Sequence, residues 1–263
     1  MLGRRMKRAM AILFWGCVAL GELSMGQAQA GLPDTIERIR PAIVGVGVVQ
    51  RHLRKVSSTF SGTGFVVQDG SLVVTNYHVY KGLQKLRDAG SQLVVFSGRG
   101  KTATARPVRL LRADKKHDLA VLKLSKGRLP ALRLAGDSLR REGEAVAFTG
   151  FPIGMVLGLY PATHRGIISA ITPIVIPAYS SRKLTPVQIK RIRNKPFEVY
   201  QLDGTAYPGN SGSPVYDPAT GEVIGVINSV FVKGSKEAAI EKPSGITYAI
   251  PIRHVRALLQ GAK

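Results

Sequence analysis

The chain has 263 residues, enough for one large domain or two small ones, and its 44% hydrophobic content allows a sizeable core. With 38 Lys and Arg against 16 Asp and Glu, its formal net charge is +22, which favours anionic partners but indicates no fold. The single cysteine excludes a disulfide within the chain and a metal site built from several thiolates.

The first thirty residues predict a secretory signal peptide, residues 1–30. Four basic residues precede an apolar stretch, residues 9–20, which is short for a membrane span, and Ala28-Gln29-Ala30 offers a cleavage site of small residues. An uncleaved N-terminal anchor is the alternative. We expect cleavage after Ala30 and a periplasmic or secreted location in a bacterium. The cysteine, Cys17, lies in the removed segment, and export argues against nucleic acid as the anionic partner.

The first half of the remaining chain predicts short strands between turns. Residues 35–40 predict a short helix that Pro41 ends. Residues 62–67 and 72–75 predict a hairpin around the turn Asp69-Gly70. Further strands are predicted at residues 42–49, 92–96 and 119–124, whereas residues 98–116 are expected to be a basic, turn-rich connection.

The second half predicts a similar run of strands and a final helix. Residues 125–144 are polar and contain Gly and Pro, so we expect them to cross between the two halves. Strands are predicted at residues 145–148, 166–171, 199–202, 213–216, 223–230 and 246–250. Pro251 followed by IRHVRALLQ predicts a C-terminal helix with Val255, Leu258 and Leu259 on one face. Many short strands between Gly and Pro turns indicate an all-β barrel or sandwich.

A serine between two glycines is the first candidate for chemistry. In the segment YPGNSGSPVYD, residues 207–217, Ser211 lies between Gly209 and Gly212, which allow a tight, exposed turn. In such a turn the N–H groups of Gly209 and Ser211 can converge on one point, as an oxyanion hole requires. An ordinary Pro-Gly-Asn turn is the alternative interpretation.

A nucleophilic serine needs a base, and the base needs an orienting acid. His78 ends the segment SGTGFVVQDGSLVVTNYHVY and is the candidate base, with a core-filling histidine as the alternative. Asp118 opens the apolar strand of HDLAVLKL and is the candidate acid. Asp114 and Asp203 remain alternatives for the acid, and His117 remains one for the base if its strand points it inward.

Four segments resemble those of trypsin/chymotrypsin-like serine endopeptidases, most closely the Deg/HtrA-type branch. They are SGTGFVV…TNYHV, HDLAVLKL, YPGNSGSPV and SGITYAIP, in that order, and the resemblance covers roughly residues 36–259. It implies a protease domain over residues 31–263. We expect two six-stranded-type β-barrels, about residues 35–130 and 140–250, with the active site in the cleft between them and a C-terminal helix.

The resemblance also implies roles for individual residues. His78 matches the general base, Asp118 the orienting acid and Ser211 the nucleophile, and the N–H groups of Gly209 and Ser211 match the oxyanion hole. The chain is then expected to be an exported serine endopeptidase that cleaves protein or peptide substrates through an acyl-enzyme. No metal or cofactor is expected. There is no His-Glu-x-x-His segment, and the Gly-Val-Gly stretch at residues 45–47 lacks the third glycine and the following helix of a dinucleotide site.

Departures from the family pattern bear on specificity and regulation. Thr205 falls where trypsin-like enzymes place an aspartate, and Asn228 lies in the pocket strand, so a neutral substrate pocket for small or medium apolar side chains is expected. That strand contains no histidine of the kind found in glutamate-specific relatives. Asn210 replaces the aspartate that pairs with a freed N-terminus in digestive proteases. The chain stops a dozen residues after GITYAIP, where relatives continue into PDZ domains, so a protease domain without PDZ is expected.

A basic stretch at residues 180–195 predicts a possible contact with anionic envelope surfaces. Its sequence, SSRKLTPVQIKRIRNK, favours a short surface helix beginning near Thr185 and Pro186, and a solvated loop is the alternative. The cations are Arg182, Lys183, Lys190, Arg191, Arg193 and Lys195. The alternative function is therefore a catalytically silent trypsin-fold binding or scaffold protein attached to such a surface. The sequence predicts no nucleic-acid partner and indicates no oligomeric state.

Overall fold

The computed structural model describes residues 31–52, 55–86, 90–152, 158–173, 196–228 and 246–261. The strands of the first half form a closed antiparallel barrel in the order β1-β2-β3-β6-β5-β4. These strands are β1 (Ile43–His52), β2 (Lys55–Val67), β3 (Leu72–Asn76), β4 (Ser91–Ser97), β5 (Thr104–Asp114) and β6 (Leu119–Leu124).

A second closed antiparallel barrel, in the order β10-β11-β12-β9-β8-β7, repeats the strand connectivity of the first. Its strands are β7 (Ala145–Gly150), β8 (Ala162–Pro173), β9 (Glu198–Asp203), β10 (Pro214–Tyr216), β11 (Val223–Asn228) and β12 (Ile246–Pro251). The prediction of an all-β protein with two six-stranded barrels and a C-terminal helix is confirmed.

Three α-helices, counted over the described residues, accompany the barrels: α1 (Leu32–Ile39), α2 (Tyr77–Lys85) and α3 (Ile252–Gln260). Short 3-10 helices occur at Arg40–Ala42, which contains Pro41, and at Gly100–Thr102. In this part of the chain no helix has the length and apolar character needed to cross a membrane. Helix α2 packs against β1, β2, β3 and β6, and β3 also contacts β11, so that β3 is buried along its whole length.

Two segments of the first barrel differ from the sequence prediction. The region 98–116 was predicted as a turn-rich connection, but it contains β5, in which Val108 is buried while Arg109 is exposed. A register shift beside Leu111 interrupts the alternation of this strand and hides it from a simple pattern search. The hairpin predicted at residues 62–67 and 72–75 is formed by β2 and β3, but it is followed by α2, a helix that was not predicted, and His78 lies in the first turn of that helix. The predicted signal peptide and the basic stretch at 180–195 lie outside the described residues.

Helix α3 joins the end of the second barrel to the first. The Arg112 guanidinium of β5 donates to the carbonyl oxygens of Leu258 (3.1 Å) and Leu259 (2.6 Å), near the negative end of the helix dipole. Near the start of the helix, the His254 ring stacks on His117 at a centroid distance of 4.0 Å. Phe197 packs edge-on against both rings, at 4.6 Å and 5.3 Å. The helix is therefore fixed to the first barrel at both of its ends.

The environment of His254 favours the neutral imidazole. Burial is the main cause that lowers its pKa to about 4, from an ordinary value of 6.5. The neighbouring His117 and Arg253, and more weakly Lys116, act in the same direction, whereas Asp114 opposes them. Below pH 6.5 the unfolded chain therefore binds a proton at His254 that the folded chain does not bind. The stability that depends on neutral His254 is present above pH 6.5 and is lost as the pH falls toward 4.

Replacing His254 by Phe, which keeps a ring against His117, should remove this pH dependence. We expect the free energy of unfolding of the parent to fall by about 2 kcal/mol more than that of His254→Phe between pH 6.5 and pH 4.5. Urea unfolding at these two pH values measures the difference. Parallel losses in the two proteins would show that His254 does not titrate in this window.

Candidate active site

His78 and Asp118 form a close side-chain pair in the first barrel. The distance between His78 Nδ1 and Asp118 Oδ2 is 2.6 Å, and the His78 backbone N–H donates to Asp118 Oδ1 at 2.8 Å. Asp118, just before β6, has φ +53°, a left-handed conformation that aspartate tolerates better than most residues. Its carbonyl accepts hydrogen bonds from Tyr77 N (3.0 Å) and Asn76 Nδ2 (3.1 Å). The loop before β6 is thus locked to the start of α2.

The second barrel contributes a third donor to the same carboxylate. Asn228, the last residue of β11, donates from Nδ2 to Asp118 Oδ2 at 2.9 Å and is itself 1% exposed. The sequence predicts only a pocket role for Asn228, which remains a prediction, and does not indicate this contact. The available signal was an amide side chain at the end of the apolar run VIGVIN, where it needs a buried partner.

The alternative acid and base residues lie elsewhere. Asp114 accepts hydrogen bonds from the His117 ring (Nδ1 to Oδ2, 2.5 Å) and from the backbone N–H groups of Lys116 and His117. The two side chains thus pair with each other across a tight turn, and His117 stacks on His254 as described above. Asp203 is exposed at the end of β9. Of the aspartates considered, Asp118 is the one that the structure brings to His78.

Ser211 lies on a loop of the second barrel that is held against β2. Its carbonyl oxygen accepts a hydrogen bond from Thr63 N at 2.8 Å. The neighbouring Gly209 and Gly212 have φ of +103° and +88°, so both positions need the conformational freedom of glycine. Only 6% of Ser211 is exposed, so the turn is less open than the sequence predicted, because β2 covers one side of it.

The backbone of this loop leaves two donors unused. The N–H groups of Asn210, Gly212 and Ser213 donate to the carbonyls of Tyr207, Ile227 and Asn210, respectively. Among the described residues, no hydrogen bond uses the N–H of Gly209 or of Ser211. These are the two donors that the sequence analysis assigned to an oxyanion hole.

Helix α2 and the Ser211 loop approach each other over Gly62. A Cβ atom at Gly62 would lie 2.7 Å from the Val79 side chain and 2.9 Å from the Ser211 carbonyl oxygen. Val79 follows His78 directly, so the start of α2 and the serine loop both approach the position where a side chain at Gly62 would begin. No hydrogen bond joins His78 to Ser211 within the described part of the chain. In unliganded catalytic sites such bonds are often long and tighten only when substrate binds.

The loop that precedes the serine is fixed by one threonine. Thr247 Oγ1 donates to the Gly204 carbonyl at 2.5 Å and accepts from Ala206 N at 2.9 Å, which holds the chain on both sides of the half-buried Thr205.

Asn210, 0% exposed, has no hydrogen-bond partner for its side chain among the described residues. A search of the same residues finds no cluster of His, Cys, Asp and Glu that could hold a metal ion.

Comparisons with known proteins agree with this fold. The family model of the trypsin-like peptidase domain matches residues 62–226. Human serine protease HTRA4 is 29% identical over 264 residues, which cover 97% of this chain and 48% of that protein. The probable periplasmic serine endoprotease DegP-like of Halomonas elongata is 31% identical over 195 residues, which cover 73% of this chain and 32% of that protein.

Solved structures give the same picture for the fold. The HtrA-type protease AlgW with a decapeptide superposes with a TM-score of 0.63 at 23% identity, covering 88% of this chain and 67% of that one. The chain spans about half the length, or less, of the curated relatives described above. The family model alone accounts for more than half of the sequence. The chain therefore belongs to the trypsin-like peptidase family, and the relatives and solved structures to which it is similar are HtrA-type serine proteases.

Proposed function

We propose that this chain is an exported serine endopeptidase in which His78, Asp118 and Ser211 act as general base, orienting acid and nucleophile. The observation that carries the proposal is the short contact between His78 Nδ1 and Asp118 Oδ2. An imidazole whose Nδ1–H is held by a carboxylate presents Nε2 as the acceptor of a proton. The approach of the Ser211 carbonyl and of Val79, the residue after His78, to the same glycine, Gly62, supports Ser211 as the nucleophile.

In the proposed acylation step, His78 Nε2 removes the proton from the Ser211 hydroxyl as Oγ attacks the carbonyl carbon of the peptide bond. Asp118 keeps the ring in the required tautomer and stabilises the imidazolium that forms. The imidazolium then gives its proton to the leaving nitrogen, and the C–N bond breaks. This leaves an ester between the acyl group and Ser211 and releases the C-terminal part of the substrate.

Water completes the cycle by the same route. His78 takes a proton from water as the hydroxide attacks the ester, and the proton returns to Ser211 Oγ when the ester bond breaks. During both steps the negative charge on the substrate oxygen would be held by the N–H groups of Gly209 and Ser211. Their freedom from other hydrogen bonds among the described residues supports this role, because an oxyanion hole needs donors that are directed at the substrate in advance.

Export and peptide binding are supported by the N-terminal sequence and by the proteins to which this chain is similar. The first thirty residues have the composition of a signal peptide, and one relative carries the word periplasmic in its name. The structures of AlgW to which this fold is similar hold a tripeptide or a decapeptide. Together with the resemblance to HtrA-type proteases, these observations favour protein or peptide substrates outside the cytoplasm.

Removing the nucleophile or the base should abolish peptide hydrolysis without unfolding the protein. Ser211→Ala and His78→Ala should each lower kcat by roughly 10⁴-fold or more, and the double variant should be no worse, because the residues act as a unit. Hydrolysis of a fluorogenic peptide and the thermal midpoint of each variant are the measurements. His117→Gln tests the alternative base and should retain activity; a loss as large as that of His78→Ala would contradict the assignment.

The substrate pocket should prefer uncharged side chains. Thr205 supplies no carboxylate, so peptides with small or medium apolar residues at the cleaved position should have higher kcat/KM than those with Lys, Arg or Glu. Thr205→Asp should raise kcat/KM for Arg relative to the apolar residues, because it introduces a charge partner. A peptide-library profile of the parent dominated by Lys and Arg, or by Glu, would refute the neutral pocket.

The basic stretch at 180–195 is proposed to hold the protein at an anionic surface. Binding of Ser211→Ala protein to vesicles containing anionic lipid should weaken steeply with salt, because the attraction is screened. Replacing Lys190, Arg191 and Arg193 by Gln should weaken it further and spare hydrolysis of a small neutral peptide.

A charge-matched control separates position from net charge in this experiment. The control variant replaces by Gln three cations that are exposed in the first half of the chain, Arg109, Lys123 and Lys126. It removes the same charge at another place and should have a smaller effect on binding. Equal binding of the 190–193 variant and its parent at every salt concentration would eliminate the anchoring role. Equal weakening by the two triple variants would show that only net charge matters.

A further inference from the structure

Thr63 of β2 connects the first barrel to both ends of the segment that would form the oxyanion hole. Its backbone N–H donates to the Ser211 carbonyl at 2.8 Å, and its hydroxyl donates to the Gly209 carbonyl at 2.7 Å. Thr63 is completely buried. One residue of the first barrel therefore contacts the backbone of the second barrel on both sides of Asn210, with its hydroxyl at Gly209 and its backbone N–H at Ser211.

The direction of the hydroxyl bond is fixed by a third contact. The backbone N–H of Phe151 donates to Thr63 Oγ1 at 3.1 Å. An N–H group can only donate, and a hydroxyl has a single proton, so that proton is available for the Gly209 carbonyl. The Thr63 carbonyl in turn accepts from Thr75 Oγ1 at 2.7 Å, which holds Thr63 itself in place. The N–H and the hydroxyl of Thr63 thus hold the serine loop, and its carbonyl holds Thr63 itself in place.

Holding these two carbonyls fixes the peptide planes of the loop. The Gly209 carbonyl shares its plane with Asn210 N, and the Ser211 carbonyl shares its plane with Gly212 N. With both planes held, the intervening plane, which carries the Ser211 N–H, has little freedom to rotate. The direction of the Gly209 N–H relative to the held Gly209 carbonyl depends on the φ and ψ angles of Gly209. Glycine readily adopts φ of either sign, and a rotation there would turn its N–H away from the substrate.

We propose that Thr63 is a positioning residue that keeps the N–H groups of Gly209 and Ser211 directed at the substrate oxygen. The inference rests on the proposed function, and it adds that the first barrel supplies the orientation of the oxyanion donors as well as the base and the acid. A β-bulge at Ser61, two residues before Thr63, agrees with this role, because a bulge bends its strand and can re-aim the side chains near it.

Thr63→Val tests the proposal, because valine fills the same space without a hydroxyl. We expect kcat to fall roughly 10-fold or more with KM for a peptide changed by less than about twofold, since only transition-state stabilisation is lost. A peptide boronic acid, which forms a tetrahedral adduct on a serine, should lose affinity by a similar factor. Thr63→Ser, which keeps the hydroxyl, should restore both values.

Loss of a buried hydrogen bond elsewhere provides the matched control. Thr149 is 1% exposed, and its hydroxyl is within hydrogen-bond distance of Tyr216 and Thr163, whereas no hydrogen bond joins it to Gly209 or Ser211 among the described residues. Thr149→Val should lower the thermal midpoint by a comparable amount and leave kcat and boronic acid affinity unchanged. If Thr63→Val does not fold, Thr63→Cys takes its place with the same expectations, because a thiol is a weak donor of similar size.

The possible outcomes separate the two proposals. Activity of Thr63→Val equal to that of the parent, a raised KM with unchanged kcat, or an equal loss of kcat in Thr149→Val would overturn the role of Thr63 and leave the proposed function intact. A parent that neither cleaves peptides nor binds the boronic acid would overturn the proposed function itself.

Discussion

The carboxylate of Asp118 is the contact on which both the fold around the site and the proposed chemistry depend. It accepts hydrogen bonds from the backbone N–H and the ring of His78 in the first barrel and from the side-chain amide of Asn228 in the second. A partly buried carboxylate is costly unless its oxygens are satisfied, and these three donors satisfy it. The same bonds orient the imidazole and hold the barrels together. Separating the barrels would therefore leave the charge without one of its donors and the base less firmly held.

Other contacts also join the two barrels. Thr63 holds the serine loop from one side, and α3 fastens the end of the chain to the first barrel through Arg112 and the stacked rings of His117 and His254. Each barrel is a closed sheet without free edges, so neither needs the other to complete its strand pairing. The proposed activity, by contrast, exists only when the barrels are correctly placed against each other, and the contacts of Asp118 and Thr63 help to hold them in that placement.

Much of this arrangement could be predicted from the sequence because its signals are local. The hairpin turn, the glycines that flank Ser211 and the C-terminal helix each follow from a few adjacent residues. Strand β5 was missed because three arginines and a proline interrupt its apolar residues and a bulge shifts its alternation. The contacts of Asn228 with Asp118 and of Thr63 with Gly209 span 110 and 146 residues. Pattern and propensity carry no information about pairs so distant, so only the folded chain reveals them.

Covalent labelling by a fluorophosphonate is the sharpest test of the proposed triad, because the reagent reacts with a serine activated by a neighbouring base. We expect one label per folded chain, located on Ser211 by mass spectrometry of the digested protein, and no label after denaturation. We also expect much slower labelling of His78→Ala, in which the serine is unchanged but the base is lost. Absence of labelling in the folded parent, or a label on another serine such as Ser213, would show that Ser211 is not the activated nucleophile.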